Sequence, residues 1–191
     1  GCDSSGGGDS IKSQIVVIAF VILEATKWLI GSKRSRFYRP SASRMTTMKV
    51  AVSVPGKVHL MGEHAVVYGK PALLAAINLR LRVTVESGTN DIEVVSSEPP
   101  DYIRHAVEIV REQYKLASLP PMKITVTSDI PAGFHLGSSA AVAVGIVGAV
   151  TYFLRKVWNP ATINQIAYEV EKKMHGNPSG GDNTTVTMGG F

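Results

Sequence analysis

Three segments of the sequence carry residue types that could together bind and transfer a phosphoryl group. The middle segment, 131–141, reads Pro-Ala-Gly-Phe-His-Leu-Gly-Ser-Ser-Ala-Ala and joins a predicted strand to a long apolar stretch. Such a turn at a helix start presents unpaired backbone N–H groups to phosphate oxygens, and the hydroxyl of Ser138 or Ser139 could ligate magnesium. The segment follows neither the Walker A nor the GxGxxG pattern. Taken alone, it is more often an ordinary strand-to-helix junction.

The second segment supplies two carboxylates. Glu171 lies at the border of the apolar stripe of a predicted helix, at the edge of the face that carries Ile166 and Val170. That position could face a cleft, although a solvated boundary glutamate is an equally good explanation. Asp182 follows two glycines in a polar turn, where a turn-capping aspartate is the ordinary explanation.

The third segment places Lys57 after Pro55-Gly56, with Glu63 and His64 further along. Phosphoryl transfer needs positive charge, metal-bound phosphates and a group placed at the acceptor's proton. Lys57 could supply the charge, Ser139 and Glu171 the magnesium site, and Asp182 the proton acceptor. Each signal is weak alone, and the hypothesis rests on their combination.

Alternating and turn-bounded segments predict the strands that must position these residues. The segment 79–86 alternates apolar and polar residues, as a half-solvated antiparallel strand does. We expect the segment 91–95 to pair with it across the Ser-Gly-Thr-Asn turn. The other predicted strands are 49–54, stopped by Pro55-Gly56, then an extended 58–61, then 123–130, and an apparent strand before the C-terminus.

The helices are predicted from their apolar stripes and their first residues. Pro99-Pro100-Asp101 opens a helix with an apolar stripe that includes Ile103 and Val110. The nearly uncharged run to about 154 predicts a helix that is buried inside the protein. Asn159-Pro160 caps and starts a further helix through Met174.

Length and composition indicate globular material of about one domain. The chain has 191 residues, 45% of them hydrophobic and 18% charged. Residues 1–48 carry seven Lys or Arg against three acids, whereas residues 49–191 carry thirteen against twelve. The main body therefore gives no electrostatic reason to expect nucleic-acid binding. The single cysteine, Cys2, excludes a disulfide framework.

The first 47 residues look foreign to the rest of the chain. They begin Gly/Ser/Asp-rich, continue with the nine-residue apolar run 15–23 and end in the basic segment 33–44. The apolar run is too short to span a bilayer and lacks the flanks of a secretory signal. We expect a poorly structured extension, and a non-native origin is favoured over a membrane-surface anchor.

The three segments resemble, in order and spacing, the three motifs of the GHMP kinase superfamily. The resemblance runs from about 48 to 191 and is most specific over 55–71 and 175–182. Within the superfamily the motifs are most similar to the branch that phosphorylates mevalonate. The resemblance implies an α+β fold, with a mixed or antiparallel sheet against helices as in ribosomal protein S5 domain 2. It also implies ATP and Mg²⁺ as cofactors and transfer of the γ-phosphate of ATP to the 5-hydroxyl of mevalonate, in a cytoplasmic enzyme.

The resemblance also assigns roles to individual residues. Asp182 matches the general base or orienting carboxylate, and Lys57 matches the lysine that stabilises the developing alkoxide. Ser139 and Glu171 match the magnesium ligands, while Glu63 and His64 match the substrate-side motif. The phosphate-binding loop and helix start are matched by Gly133, Leu136, Gly137, Ser138, Ser139 and Ala140.

Three departures from the family pattern leave alternatives open. His135 occupies a position where the family usually has glycine, and it should crowd the loop or require a backbone angle that glycine tolerates better. Gly181 replaces a bulkier residue and should loosen the turn before Asp182. The resemblance ends at Phe191, and we expect the family's C-terminal domain to be absent from this chain. Another superfamily kinase, such as phosphomevalonate kinase or galactokinase, and a non-catalytic nucleotide-binding module therefore remain alternatives, and a homodimer is left open.

Overall fold

A computed structural model describes residues 48–64, 68, 70–176 and 178–189, which fold into a four-stranded sheet with four helices. The predicted extension over 1–47 lies outside the described residues. The expectation of an α+β fold is confirmed. In chain order the elements are β1 (Lys49–Met61), β2 (Leu73–Ser87), β3 (Ile92–Ser96), α1 (Pro100–Gln113), β4 (Met122–Ser128), α2 (Ser138–Arg155), α3 (Pro160–His175) and α4 (Gly181–Met188).

The sheet is mixed, with the strand order β1-β2-β4-β3. β2 pairs antiparallel with β1 on one edge and with β4 on the other, and β3 pairs parallel with β4. The predicted hairpin between 79–86 and 91–95 is therefore wrong. Both edges of β2 are already occupied, and α1 provides the crossover that parallel pairing of β3 with β4 requires.

β1 does not stop at Pro55-Gly56 as predicted but continues through a register shift. Pro55 lies opposite Arg80 and Gly56 opposite Ile77, so β2 has two extra residues at this point, Asn78 and Leu79. Before the shift the even-numbered valines of β1 are buried, and after it the odd-numbered Lys57 is buried. An irregularity of this kind re-aims side chains, and here it turns Lys57 toward the helices.

The predicted buried helix is confirmed as α2, which packs against β1, β2 and the other three helices. The close packing depends on small residues, since a Cβ at Gly145 would lie 2.8 Å from Val83 Cγ2. Among the described residues, α2 is also the one helix long and apolar enough to cross a membrane by length and composition, and 72% of it is buried inside the domain. Its apolar surface is thus largely covered by the protein itself.

The last two helices carry the acidic candidates. In α3 the Asn159 side chain accepts a hydrogen bond from the Thr162 N–H, which confirms the predicted cap. The apparent strand near the C-terminus is wrong, because residues 181–188 form α4. Its β-branched residues favour strands by propensity, but Thr185, Val186 and Thr187 are buried there in helical form. Asp182 consequently lies in the first turn of a helix and not in a polar loop.

Candidate active site

Lys57 and Asp182 form an ion pair at the centre of the site. Lys57 Nζ lies 2.8 Å from Asp182 Oδ2, and the lysine side chain is only 3% exposed. β1 delivers the lysine, and the first turn of α4 delivers the aspartate. The structure therefore brings together two residues that lie near opposite ends of the described chain.

The turn before α2 is fitted closely around Lys57. The Lys57 backbone N–H donates to the Leu136 carbonyl oxygen at 2.9 Å, which ties β1 to this turn. Gly137 has φ of 76°, and a Cβ there would lie 2.7 Å from Lys57 Cγ. Only glycine suits both this left-handed backbone and this close approach.

A cavity of about 250 Å³ opens between this turn, the start of α2 and the ion pair. No side chain caps the α2 N-terminus, so the first-turn N–H groups are available to an anion, and the helix dipole favours one there. Ala140 is buried and does not line the cavity, although it belongs to the same first turn. The lining residues are Lys57, Pro131, Gly133, His135, Leu136, Gly137, Ser138, Ser139 and Asp182.

The carboxylate of Glu171 is held in a fixed orientation beside this cavity. Glu171 is buried, and the Tyr102 hydroxyl donates a hydrogen bond to its Oε1. Burial and the adjacent Glu171 carboxylate raise the pKa of Tyr102 far above its usual value, so Tyr102 stays a donor. The other oxygen, Oε2, lies 3.5 Å from Ser139 Oγ, whereas the Ser138 hydroxyl lies near Glu98.

The Ser139 and Glu171 oxygens fit a magnesium ion that is shared with a nucleotide. Within the part of the chain that the structure describes, no group of three or more His, Cys, Asp or Glu residues could hold a metal ion. Mg²⁺ commonly binds through one or two carboxylates, substrate phosphates and water. A hydroxyl and a carboxylate beside an anion-binding helix N-terminus match that ligand set.

A second cavity of about 250 Å³ lies on the other side of Asp182. Glu63 lines it, as the substrate-side prediction requires. His64 does not; it lines a neighbouring cavity of about 420 Å³ that shares His59 and Glu63. The second cavity is lined by His59, Glu63, Glu171, Pro178, Ser179, Gly180, Asp182 and Asn183.

The sequence analysis missed His59, which contacts both members of the ion pair. Its Nδ1 lies 3.0 Å from Lys57 Nζ, and its Nε2 lies 3.8 Å from Asp182 Oδ1. The signal that could have found it is strand alternation, because residues two apart on a strand share a face. His59 follows Lys57 by two residues on β1.

Two of the positions where the sequence departs from the family pattern, His135 and Gly181, lie close to this site. His135 has φ of 56°, which confirms that this position requires a backbone angle suited to glycine. Gly181 is buried in the first turn of α4, and its N–H donates to Ser179 Oγ at 3.3 Å. The looser turn that glycine was expected to give before Asp182 stays a prediction.

The buried Lys57–Asp182 pair lies between the uncapped N-terminus of α2 and a second polar cavity, an arrangement suited to holding a phosphate group beside a small polar molecule. The comparison with protein families agrees, since residues 101–190 match the model for the GHMP kinases N terminal domain. This region is a GHMP kinase N-terminal domain, as the sequence motifs predicted.

The curated relatives that this chain resembles include several mevalonate kinases. The mevalonate kinase of Thermococcus gammatolerans is 37% identical, over 75% of this chain and 51% of the relative. The crystal structure of the Methanococcus jannaschii mevalonate kinase superposes with a TM-score of 0.67 at 29% identity, covering 76% of this chain and 52% of that one. The L. major mevalonate kinase in complex with R-mevalonate gives a TM-score of 0.61 at 28% identity, covering 72% and 46%. The chain thus spans about half the length of the curated relatives that it matches.

Proposed function

We propose that the protein to which this chain belongs transfers the γ-phosphate of ATP to the 5-hydroxyl of mevalonate, giving 5-phosphomevalonate for isoprenoid synthesis. The observation that carries the proposal is the 2.8 Å Lys57–Asp182 pair, which separates the cavity at the α2 N-terminus from the cavity that Glu63 lines. One cavity suits the nucleotide phosphates, and the other suits a small polar acceptor. The similarity to named mevalonate kinases supports mevalonate as that acceptor.

The pair lies where the acceptor hydroxyl must react. Asp182 faces both cavities, so its carboxylate can orient the hydroxyl and receive its proton as the oxygen–phosphorus bond forms. Lys57 lies beside it, and its ammonium stabilises negative charge on the attacking oxygen and the transferring phosphoryl group. The bond between the γ-phosphorus and the β,γ-bridging oxygen breaks, and ADP leaves with the bridging oxygen.

The turn before α2 and its first N–H groups hold the phosphates in line with the acceptor. Ser139 Oγ and Glu171 Oε2 would hold Mg²⁺, while Tyr102 keeps the glutamate oriented. When bound, the ion neutralises charge on the β- and γ-phosphate oxygens. Positioning and electrostatic stabilisation are the main sources of catalysis in phosphoryl transfer, and these residues supply both.

An acceptor panel tests the proposal. ADP release is measured with Mg-ATP and mevalonate, phosphomevalonate, galactose or homoserine, and we expect the highest kcat/KM with mevalonate. Asp182→Asn should reduce kcat by about 10²–10⁴-fold, the usual contribution of a general base. Asp91→Asn, an exposed aspartate in the turn before β3, is the matched control and should leave kcat unchanged. Full turnover in Asp182→Asn would remove Asp182 from this role.

A second candidate is a nucleotide-binding module without turnover, which His135 favours, because it lines the cavity at the α2 N-terminus with a backbone angle better suited to glycine. Calorimetric titration of the chain with Mg-ATP separates the two. Binding with no ADP release on any acceptor supports the module, whereas mevalonate-dependent release supports the kinase.

A further inference from the structure

His59 occupies a position between the two partners of the central ion pair. Its Nδ1 is 3.0 Å from Lys57 Nζ, and its Nε2 is 3.8 Å from Asp182 Oδ1. The imidazole is only 15% exposed and lines the second cavity together with Asp182. It therefore contacts the catalytic pair from the acceptor side.

The contact with Lys57 determines which ring nitrogen of His59 carries the proton. An ammonium group has donors and no acceptor, so Nδ1 must carry a lone pair and accept from Lys57. In a neutral imidazole the proton then resides on Nε2. The Nε2–H then lies on the side of Asp182, so the His59 ring lies between the Lys57 ammonium and the Asp182 carboxylate.

We propose that His59 is a positioning residue that holds Lys57 and Asp182 in their reactive arrangement, and that it does so only as the neutral Nε2–H tautomer. This inference rests on the proposed function, because it concerns the same catalytic pair. His59 is not placed as the general base, since Lys57 already occupies its lone pair.

The charges around His59 favour the neutral form. Burial lowers the pKa of His59 below its usual 6.5, and the Lys57 ammonium lowers it further, whereas Asp182 and Glu63 oppose the shift. Glu171 lies in the wall of the same cavity, and His64 lies in the wall of the neighbouring one. The net direction is downward, so the ring is neutral at pH 7.

Acidification should break the hydrogen bond between Lys57 Nζ and His59 Nδ1. A proton on Nδ1 would point at the Lys57 ammonium, so the hydrogen bond would be replaced by repulsion between two cations. The rate should therefore fall as the pH falls through the lowered pKa of His59. Above pH 6.5 the contribution of His59 is fully present, because the ring is then neutral.

Two substitutions separate positioning from packing. His59→Leu removes the acceptor and should lower kcat about 10- to 100-fold, the range expected when a catalytic group is misplaced, with little change in KM for ATP. His59→Asn keeps an acceptor near the Nδ1 position and should retain most of the wild-type kcat at pH 7. In His59→Asn the acidic limb of kcat should also move to lower pH.

The matched control is His105→Asn, which changes a half-buried histidine on α1 outside the site. It should alter neither kcat nor its pH profile. Wild-type kcat in His59→Leu, or an unchanged acidic limb in His59→Asn, overturns the proposal.

An NMR titration of the His59 imidazole tests the inference without turnover. Lys57→Met removes a charge that lowers the pKa of His59, so that pKa should rise; Asp182→Asn removes a charge that raises it, so it should fall. The wild-type spectrum should show the Nε2–H tautomer. An Nδ1–H tautomer, or a pKa that neither substitution moves, overturns the positioning role. A wild-type protein that transfers no phosphate overturns the proposed function alone, because the NMR readout does not depend on transfer.

Discussion

Lys57 carries a positive charge on an almost fully buried side chain, and two neighbouring groups stabilise that charge. The ammonium is 3% exposed and is compensated by the Asp182 carboxylate and by the His59 lone pair. A buried charge without partners is costly. The two contacts that serve the proposed chemistry therefore also make the buried lysine tolerable.

Asp182→Asn should lower the free energy of unfolding, because it leaves the buried ammonium without its counter-ion. We expect a loss of about 1–3 kcal/mol, the usual cost of leaving a buried polar group without its partner. The loss should fall short of that for a fully buried pair, because the Asp182 side chain is 37% exposed. Urea unfolding measures it, with Asp91→Asn as the surface control. Adding Lys57→Met to the Asp182→Asn variant should recover part of the loss, and no recovery would contradict this account.

Tyr102→Phe should weaken magnesium binding, because it removes the hydroxyl that orients Glu171. Groups that orient metal ligands typically contribute about 10- to 100-fold in affinity. The expected result is a higher Mg²⁺ concentration at half-maximal ADP release, with KM for mevalonate nearly unchanged. Tyr114→Phe, at the end of α1 and beside Arg155, is the control. An unaltered Mg²⁺ requirement in Tyr102→Phe would show that Glu171 needs no such support.

At the scale of elements, the register shift between β1 and β2 and the turn before α2 are the features that build the site. The shift turns Lys57 toward α4, and the Lys57–Leu136 backbone hydrogen bond then fixes β1 against the turn. The absence of a Cβ at Gly137 leaves room for the lysine chain.

Gly137→Ala tests this close fit. Alanine at φ of 76° is strained, and its Cβ would lie 2.7 Å from Lys57 Cγ. Gly176→Ala is a matched control, because Gly176 lies at the end of α3 outside this cavity, has φ of 78°, and a Cβ added there would meet no atom within 4 Å. Both substitutions should incur a similar backbone penalty of about 1–2 kcal/mol. Only Gly137→Ala should also displace Lys57 and weaken Mg-ATP binding, and equal affinities in a calorimetric titration would contradict the assignment.

At the scale of the whole molecule, the site joins elements from both ends of the described chain. β1 supplies Lys57, α2 the helix N-terminus, α3 Glu171 and α4 Asp182. A ligand that binds this arrangement and not the unfolded chain must stabilise the entire fold. The described domain should therefore respond to nucleotide as one cooperative unit.

Mg-ATP at 100 times its Kd should raise the free energy of unfolding by about 2.7 kcal/mol. Hydrogen exchange should show added protection in β1 and α4 together, because Lys57 and Asp182 are paired across them. ADP without Mg²⁺ is the comparison ligand and should protect less. Protection confined to the start of α2 would show that nucleotide binding does not involve the ion pair.

Periodicity predicted much of this fold, because it reports which face of an element is buried. It identified α2 as a core helix, and it identified the alternation of Leu81, Val83 and Val85 on β2. It located β3 but failed for the pairing of β3 and for the continuity of β1, because strand pairing depends on partners distant in sequence. It also failed for α4, where tertiary packing overrides the strand propensity of Thr185 and Val186.

The candidate site was predictable where the residues follow a family motif. Lys57, Ser139, Glu171 and Asp182 were found in this way, and the structure places them around adjoining cavities. His59 was not found, because the family motifs give it no role, although its two-residue spacing from Lys57 on β1 places both side chains on one face. His64 carried a motif role but lies beside the neighbouring cavity.

The Lys57–Asp182 ion pair joins two residues that lie near opposite ends of the described chain. A chain still emerging from the ribosome, or one that has lost α4 to a protease, retains the lysine but not its acid. Such a chain lacks the Lys57–Asp182 pair that would direct a phosphoryl group to an acceptor hydroxyl. The proposed transfer therefore depends on the described fold from β1 to α4.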